Sequence, residues 1–168
     1  TRWYEDYDNA EKITKYFETY YPDAIPKMPN FADQYQENPQ GFLGTLDFKQ
    51  WTFEDNVALL GDAAHALVPF FGQGMNCGLS DVSFLVNTLK ETGSDRVKTL
   101  KHYQNHQKPN GDAIARMSQQ NFVEMCDHVG KEKFLLRKKV EKILENEFPQ
   151  NYRSRYGLVV YTLTPYHH

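Results

Sequence analysis

Cysteine is scarce in this chain. There are two, Cys77 and Cys126, far apart in sequence and in no Cys-x-x-Cys pair. Nothing suggests a disulfide framework or a thiolate metal site, and both residues read as reduced and buried. An excess of positive charge is also lacking. The 19 Lys and Arg residues face 22 Asp and Glu, for a net charge of −3, so nothing favours nucleic acid as a partner. No run approaches the roughly 20 apolar residues of a membrane span. The opening Thr-Arg-Trp-Tyr is not a secretory signal. Internal repeats and low-complexity tracts are absent.

What is present suffices for one domain with a core. The chain has 168 residues, 40% of them hydrophobic and 14% aromatic, a globular composition rather than a disordered one. Asp8-Asn9 can cap a helix with Ile13, Tyr16, Phe17 and Tyr20 on its apolar face, and Pro22 stops it. Residues 22–40 carry four prolines and read as an irregular connection. From Gly41 to Phe53 the chain has strand propensity, as one long strand or a hairpin. Glu54-Asp55-Asn56 makes a turn. Val57 to Leu60 is wholly apolar, which predicts a short strand buried on both faces.

Helices follow. The first places Met75, Leu79, Val82, Val86 and Leu89 on one face and ends at Gly93. Ser94 or Asp95 caps the next, which turns Val97, Leu100 and Tyr103 inward. Pro109 interrupts it, and Asn110 or Gly111 allows a restart. A segment from Asp112 to about His128 presents Ile114, Met117, Phe122, Met125 and Cys126. Another, Lys131 to Phe148, buries Phe134, Leu135, Val140, Ile143 and Leu144. Its basic residues, Arg137-Lys138-Lys139 with Lys131, Lys133 and Lys142, read as a solvated face; contact with a membrane surface or cofactor phosphates is the alternative. The tail, Tyr152 to Tyr166, is helical or extended. One buried strand cannot make a parallel sheet, so the chain reads as the C-terminal part of a larger α/β protein.

The stretch from Asn56 to Asp81 organises the rest. Its apolar strand breaks at Gly61-Asp62, passes Pro69, and reaches a glycine turn, Gly72-Gln73-Gly74, that feeds a helix. Gly72 to Gly78 is not the dinucleotide fingerprint Gly-x-Gly-x-x-Gly. Its last glycine comes one residue late, and it follows Pro-Phe-Phe instead of a strand. A carboxylate at a strand end can accept hydrogen bonds from sugar or ribityl hydroxyls. The helix start offers unpaired backbone N–H groups and the positive end of the helix dipole. Glycines let backbone approach a flat ring. A plain glycine turn that merely starts a helix is the competing reading.

Gly-Asp-Ala-Ala-His, then Pro69, then Gly-Gln-Gly-Met-Asn, then a Leu-x-Asp helix resembles the second flavin motif of the single-component FAD monooxygenases, the aromatic-ring hydroxylases. The resemblance implies the C-terminal part of a fold with a Rossmann-like FAD domain and an antiparallel-sheet substrate domain, ending in a helical segment. Residues 1–53 would close the substrate-binding sheet domain, 54–93 would return to the FAD-binding domain, and 94–168 would form a helical region over the active site. FAD would be held by Gly61, Asp62, Pro69, Gly72, Gly74, Met75 and Asn76, with Asp62 on the ribityl chain and the amides of Met75 and Asn76 on the ring. Asn121-Phe122-Val123-Glu124-Met125, after the helix pair around His106 to Pro109, is similar to the kynurenine-hydroxylating members of that family. By that likeness Asn121 and Tyr156 touch the amino-acid end of L-kynurenine, while Phe70, Gln73 and Met125 line the ring pocket. The likeness thins after Lys131, and Tyr152 and Tyr161 are alternatives to Tyr156.

Read without the resemblance, Asn121 is a solvated helix residue, Met125 shares its face as core, and a tail tyrosine packs. His65 invites a general-base role, but its place after Gly-Asp-Ala-Ala favours packing or hydrogen bonding. The resemblance implies that the hard chemistry belongs to the flavin, which NADPH reduces and which then activates O₂. It names no catalytic acid or base and no metal. A substrate carboxylate wants an arginine. That group and the dinucleotide fingerprint are expected on the N-terminal part of the same protein, the implied partner, with L-kynurenine as the small-molecule substrate in tryptophan catabolism and pyridine nucleotide biosynthesis. The resemblance puts a eukaryotic parent on the cytosolic face of the mitochondrial outer membrane, anchored through a segment not present here, and a bacterial one in the cytoplasm. Two alternatives stand beside it: a phenol- or salicylate-type FAD hydroxylase, and a non-catalytic helical interaction module.

Overall fold

The computed structural model describes residues 6–167. The described residues divide into two compact units, one up to residue 42 and one from residue 43 on. In the first, helix α1 (Ala10–Tyr20) is capped by Asn9, whose side chain accepts the Lys12 N–H at 3.0 Å. Ile13 is fully buried, and Tyr16 gathers the rings of Tyr7 and Tyr20, each at 4.8 Å between centroids. Residues 22–40 are more ordered than their prolines suggested. A 3-10 turn (Ile25–Lys27) carries Pro26 at its start, where no N–H is needed, and helix α2 (Phe31–Glu37) fills the proline-free stretch.

In the second unit the strand expectations are corrected. From Gly41 to Lys49 there is no strand or helix. Strand β1 (Thr52–Phe53) pairs antiparallel with β2 (Val57–Ala58), Thr52 opposite Ala58. Val57 is exposed and Ala58 to Leu60 are half-buried, so this is a hairpin with an open edge and not a strand buried on both faces. Long-range bonds hold it. The Gln104 Oε1 accepts the N–H groups of Trp51 and Thr52 at 3.0 and 3.1 Å, and Tyr103 donates to the Leu59 carbonyl at 2.9 Å.

After the hairpin come a single helical turn α3 (Asp62–His65), a 3-10 turn (Pro69–Phe71), and helix α4 (Gly74–Glu91). Helix α5 (Arg96–Val123) is capped by Asp95, and it runs unbroken through Pro109. The expected interruption fails because the residues flanking the proline are held. Asn110 donates to the His106 carbonyl at 3.0 Å, Lys108 pairs with Asp112 at 2.7 Å, and Tyr103 and Gly111 pack on the buried Trp51. A π-helical turn (Glu124–His128) continues α5, followed by α6 (Glu132–Glu147) and α7 (Arg155–Tyr161). Two apolar clusters form the core. One is Trp51, Ala64 and Tyr103; the other is Phe71, Cys77, Ile114 and Val159.

Several expected inward faces point out. Met75, Leu79, Val82, Val86 and Leu89 of α4 are exposed, while Cys77, Asp81 and Thr88 are buried. The α4–α5 contact is laced with polar bonds instead: Gln107 to Ser80 at 3.1 Å, and Thr92 to Thr99 at 2.7 Å. Val97 is exposed where Tyr103 is buried. Helix α6 buries no residue; Leu135, Val140 and Ile143 are exposed, and Phe134 and Leu144 are only half-buried. Phe122, Met125 and Cys126 are exposed too, so of the two cysteines only Cys77 is buried.

Candidate functional site

The turn at Gly61-Asp62 is built by glycine and fixed by one carboxylate. Gly61 has φ 55°, a conformation that side chains disfavour. Its Cα faces Gly78 so closely that a Cβ on Gly78 would stand 3.5 Å away, an ordinary contact that larger groups would crowd. Asp81, one turn beyond Cys77 on the buried side of α4, accepts the Gly61 N–H at 3.0 Å and bonds the His65 Nε2 at 2.6 Å with the same oxygen. Asp81 is 3% exposed and His65 2%. The imidazole is therefore taken up as a brace between α3 and α4. Sequence reasoning saw the Leu-x-Asp helix but not this role. The available signal was an aspartate on the Cys77 side of a helix whose other side is apolar.

This brace leaves the Asp62 carboxylate exposed beside the start of α4. A Cβ on Gly74 would lie 3.9 Å from its Oδ1, so the two elements face each other across a narrow gap. Gly72 adopts a left-handed conformation (φ 66°) and turns the chain from the Pro69 turn into the helix. The N-cap Gln73 makes no side-chain cap bond, and the N–H groups of Gly74, Met75 and Asn76 have no acceptor within the helix. Met75 is 75% exposed, so this first turn is accessible. The arrangement offers an anionic acceptor opposite a row of donors backed by a helix dipole. It suits a ligand with hydroxyls at one end and electron-rich carbonyls at the other.

Beside it lies a cavity of about 670 Å³ formed by the Pro69 turn, the π-turn, α6 and α7. It brings together Asn121, Met125 and Tyr156 with Phe71. Asn121 donates to the Phe70 carbonyl at 2.8 Å, which ties α5 to the Pro69 turn. Tyr156 stacks on Phe71 with centroids 6.0 Å apart, and Phe70 packs on Phe122 at 4.7 Å. Of the tail tyrosines, Tyr152 also lines this cavity and Tyr161 does not. Phe70 is not among the lining residues and meets Asn121 through its carbonyl, and Gln73 is not brought in either. It is buried on the other side of the turn, accepts from Asn76 at 2.9 Å and Tyr166 at 3.2 Å, and borders a separate groove of about 980 Å³. In that region burial pushes the Cys77 thiol up to about 11, against a hydrogen bond from Tyr166, so it is neutral near pH 7.

Charges rim the cavity. Burial of Glu141 opposes its ionisation, yet its bonds from Lys138 and Arg137, at 2.9 and 2.8 Å, outweigh this and hold its carboxyl below the ordinary value. Glu145 is held low by hydrogen bonds from Ser154, the side chain first and then the backbone N–H at 2.8 Å. Among the described residues there is no cluster of His, Cys, Asp or Glu that could hold a metal ion.

Comparison with known proteins identifies the region. The family model for the FAD binding domain matches residues 48–155. The chain is 44% identical to the kynurenine 3-monooxygenase of Dictyostelium discoideum, over 95% of this chain and 37% of that protein. It is 40% identical to the enzyme of that name from Flavobacterium psychrophilum, over 95% of this chain and 36% of that one. For the Myxococcus xanthus protein the identity is 42%, over 95% and 34%. The chain thus spans about a third of the length of the curated relatives it matches. The matched span contains the Gly61-Asp62 brace, the glycine turn and all of the lining of the cavity around Asn121 except Tyr156, and the chain belongs to the FAD binding domain family.

Proposed function

We propose that this chain is part of a flavoprotein monooxygenase that hydroxylates L-kynurenine to 3-hydroxykynurenine with NADPH and O₂. The observation that carries the reading is one juxtaposition. An exposed carboxylate faces an uncapped helix start across a glycine gap, next to a cavity holding Asn121, Met125 and Tyr156. The relatives named kynurenine 3-monooxygenase support the substrate. The finer architecture, a Rossmann-like FAD domain with a sheet substrate domain, belongs to the same proposal. So do the nicotinamide, and the carboxylate-binding arginine, which is assigned to the part of the protein outside this chain.

The residues present fit a flavin. Asp62 would accept from ribityl hydroxyls, and the Met75 and Asn76 amides would face the ring, where the helix dipole favours negative charge. Gly61, Pro69, Gly72 and Gly74 would shape the close approach. When bound, the flavin supplies acceptance of hydride from the nicotinamide and activation of O₂. The rest falls to side chains. Asn121, tethered by the Phe70 carbonyl, and Tyr156, stacked on Phe71, orient the substrate's amino-acid end. Phe71 and Met125 keep water from the reacting ring. An aniline ring is already electron-rich, so no strong base is needed, and the buried His65 serves instead to brace the turn through Asp81.

The complete protein tests this. It should purify yellow, with oxidised-flavin absorption, and convert kynurenine faster than phenol or salicylate. Asp62→Ala should weaken FAD binding by about tenfold or more, the loss expected for a charge-assisted hydrogen bond. A colourless folded protein would overturn the flavin reading. Turnover of salicylate but not kynurenine would overturn the substrate.

A further inference from the structure

The walls of the 670 Å³ cavity share little apolar packing. Helix α6 buries no residue, and α7 buries only Gly157 and Val159. Polar ties take over. Ser154 caps α7 by accepting the Gly157 N–H at 3.2 Å, and its own N–H is held by Glu145 of α6 at 2.8 Å. The next residue, Arg155, reaches the far wall. One terminal nitrogen bonds the Gln120 Oε1 and the other the Glu124 Oε1, each at 2.8 Å. Gln120 and Glu124 are one helical turn apart. Between them sits Asn121, and Glu124 opens the π-turn that carries Met125. Tyr156 directly follows Arg155 and stacks on Phe71. One guanidinium therefore ties the element bearing Tyr156 to the element bearing Asn121 and Met125. A planar fork that spans two acceptors fixes orientation as well as distance, which a lysine cannot do.

We propose that Arg155 is a positioning residue for substrate: through Glu124 and Gln120 it sets the spacing between Tyr156 and Asn121. The proposal rests on reading this cavity as the kynurenine site. Arg155 itself does not touch the reacting atoms. Its removal should weaken and misorient substrate while leaving the flavin region unaltered.

The test uses the complete flavoprotein with Arg155→Met, Arg155→Lys, Glu124→Gln and the Glu124→Gln/Arg155→Met pair. Arg155→Met should raise KM for kynurenine about tenfold and change kcat less than about threefold, as expected for lost orientation and not lost chemistry. More of the nicotinamide should be oxidised without hydroxylated product. Arg155→Lys, which keeps the charge but not the fork, should fall between. The double variant should be no worse than the poorer single one, because the two groups act as a unit. Amide hydrogen exchange should quicken over residues 152–161 and stay unchanged over 74–91, a readout that needs no substrate. Unchanged KM and unchanged exchange in Arg155→Met would overturn the proposal, as would additive effects of the two single variants. If the wild-type flavoprotein leaves kynurenine untouched, the substrate reading fails, and the exchange result alone decides the clamp.

Discussion

At Gly111, inside α5, there is no room for a side chain. A Cβ there would collide with the Trp51 Cη2 and Cζ2, and Trp51 is 1% exposed with no space to retreat. In an exposed helix, glycine to alanine stabilises by about 1 kcal/mol. Here overpacking should exceed that gain, and Gly111→Ala should destabilise by about 1–3 kcal/mol, read as a lowered Tm. A neutral or raised Tm would mean that Trp51 moves freely. Nothing in the local sequence announces this glycine as a packing site, since its partner lies 60 positions away. The place of Asp62 beside the helix start is legible for the opposite reason. Its chemistry follows from the residues beside it, a Gly-Asp break after an apolar run and a glycine turn that opens a helix.

Among the elements, α4 shows why helix existence reads well from sequence and helix orientation does not. The apolar spacing from Met75 to Leu89 correctly marks a helix, but the face packed on α5 is the one with Cys77, Asp81 and Thr88. Spacing reports that an apolar row exists, not which partner meets it. The same holds for α6, where Leu135, Val140 and Ile143 are exposed and nothing is fully buried. Val57 to Leu60 is open for a similar reason: an apolar run signals burial only when neighbouring strands are at hand. Local sterics alone predict a break at Pro109; side-chain bonds one turn apart and packing on the distant Trp51 override them. The buried side of α4 also carries a test. Asp81 holds both the Gly61 N–H and His65 in a site with almost no water access. Asp81→Ala would leave both donors buried without an acceptor, at about 1–3 kcal/mol per group. A Tm drop of several degrees should accompany weaker FAD retention in the complete protein, as the Gly61-Asp62 turn loosens. Full FAD retention with a lowered Tm would separate the brace from the cofactor turn.

On the scale of the molecule, an apolar row is exposed on α4 beside the candidate flavin turn. Met75, Leu79, Val82, Val86 and Leu89 form a stripe along the whole helix, longer than the scattered apolar groups of an ordinary surface. The relatives are roughly three times the length of this chain. In the complete protein the row should be covered by the part outside residues 1–168, which the hairpin's open edge and the half-buried Leu59 and Leu60 also suggest. Val82→Glu separates the two cases. On a face open to water it should change stability by less than about 0.5 kcal/mol. On a covered face it would bury an unpaired carboxylate, so the complete protein should lose about 3 kcal/mol or more, or fail to fold. Exposed Lys90 at the end of the same helix, changed to Glu, provides the control, with little effect expected in either case. A harmless Val82→Glu in the complete protein would mean that the row faces solvent there too, and that the candidate cofactor turn is supported from the α5 side alone.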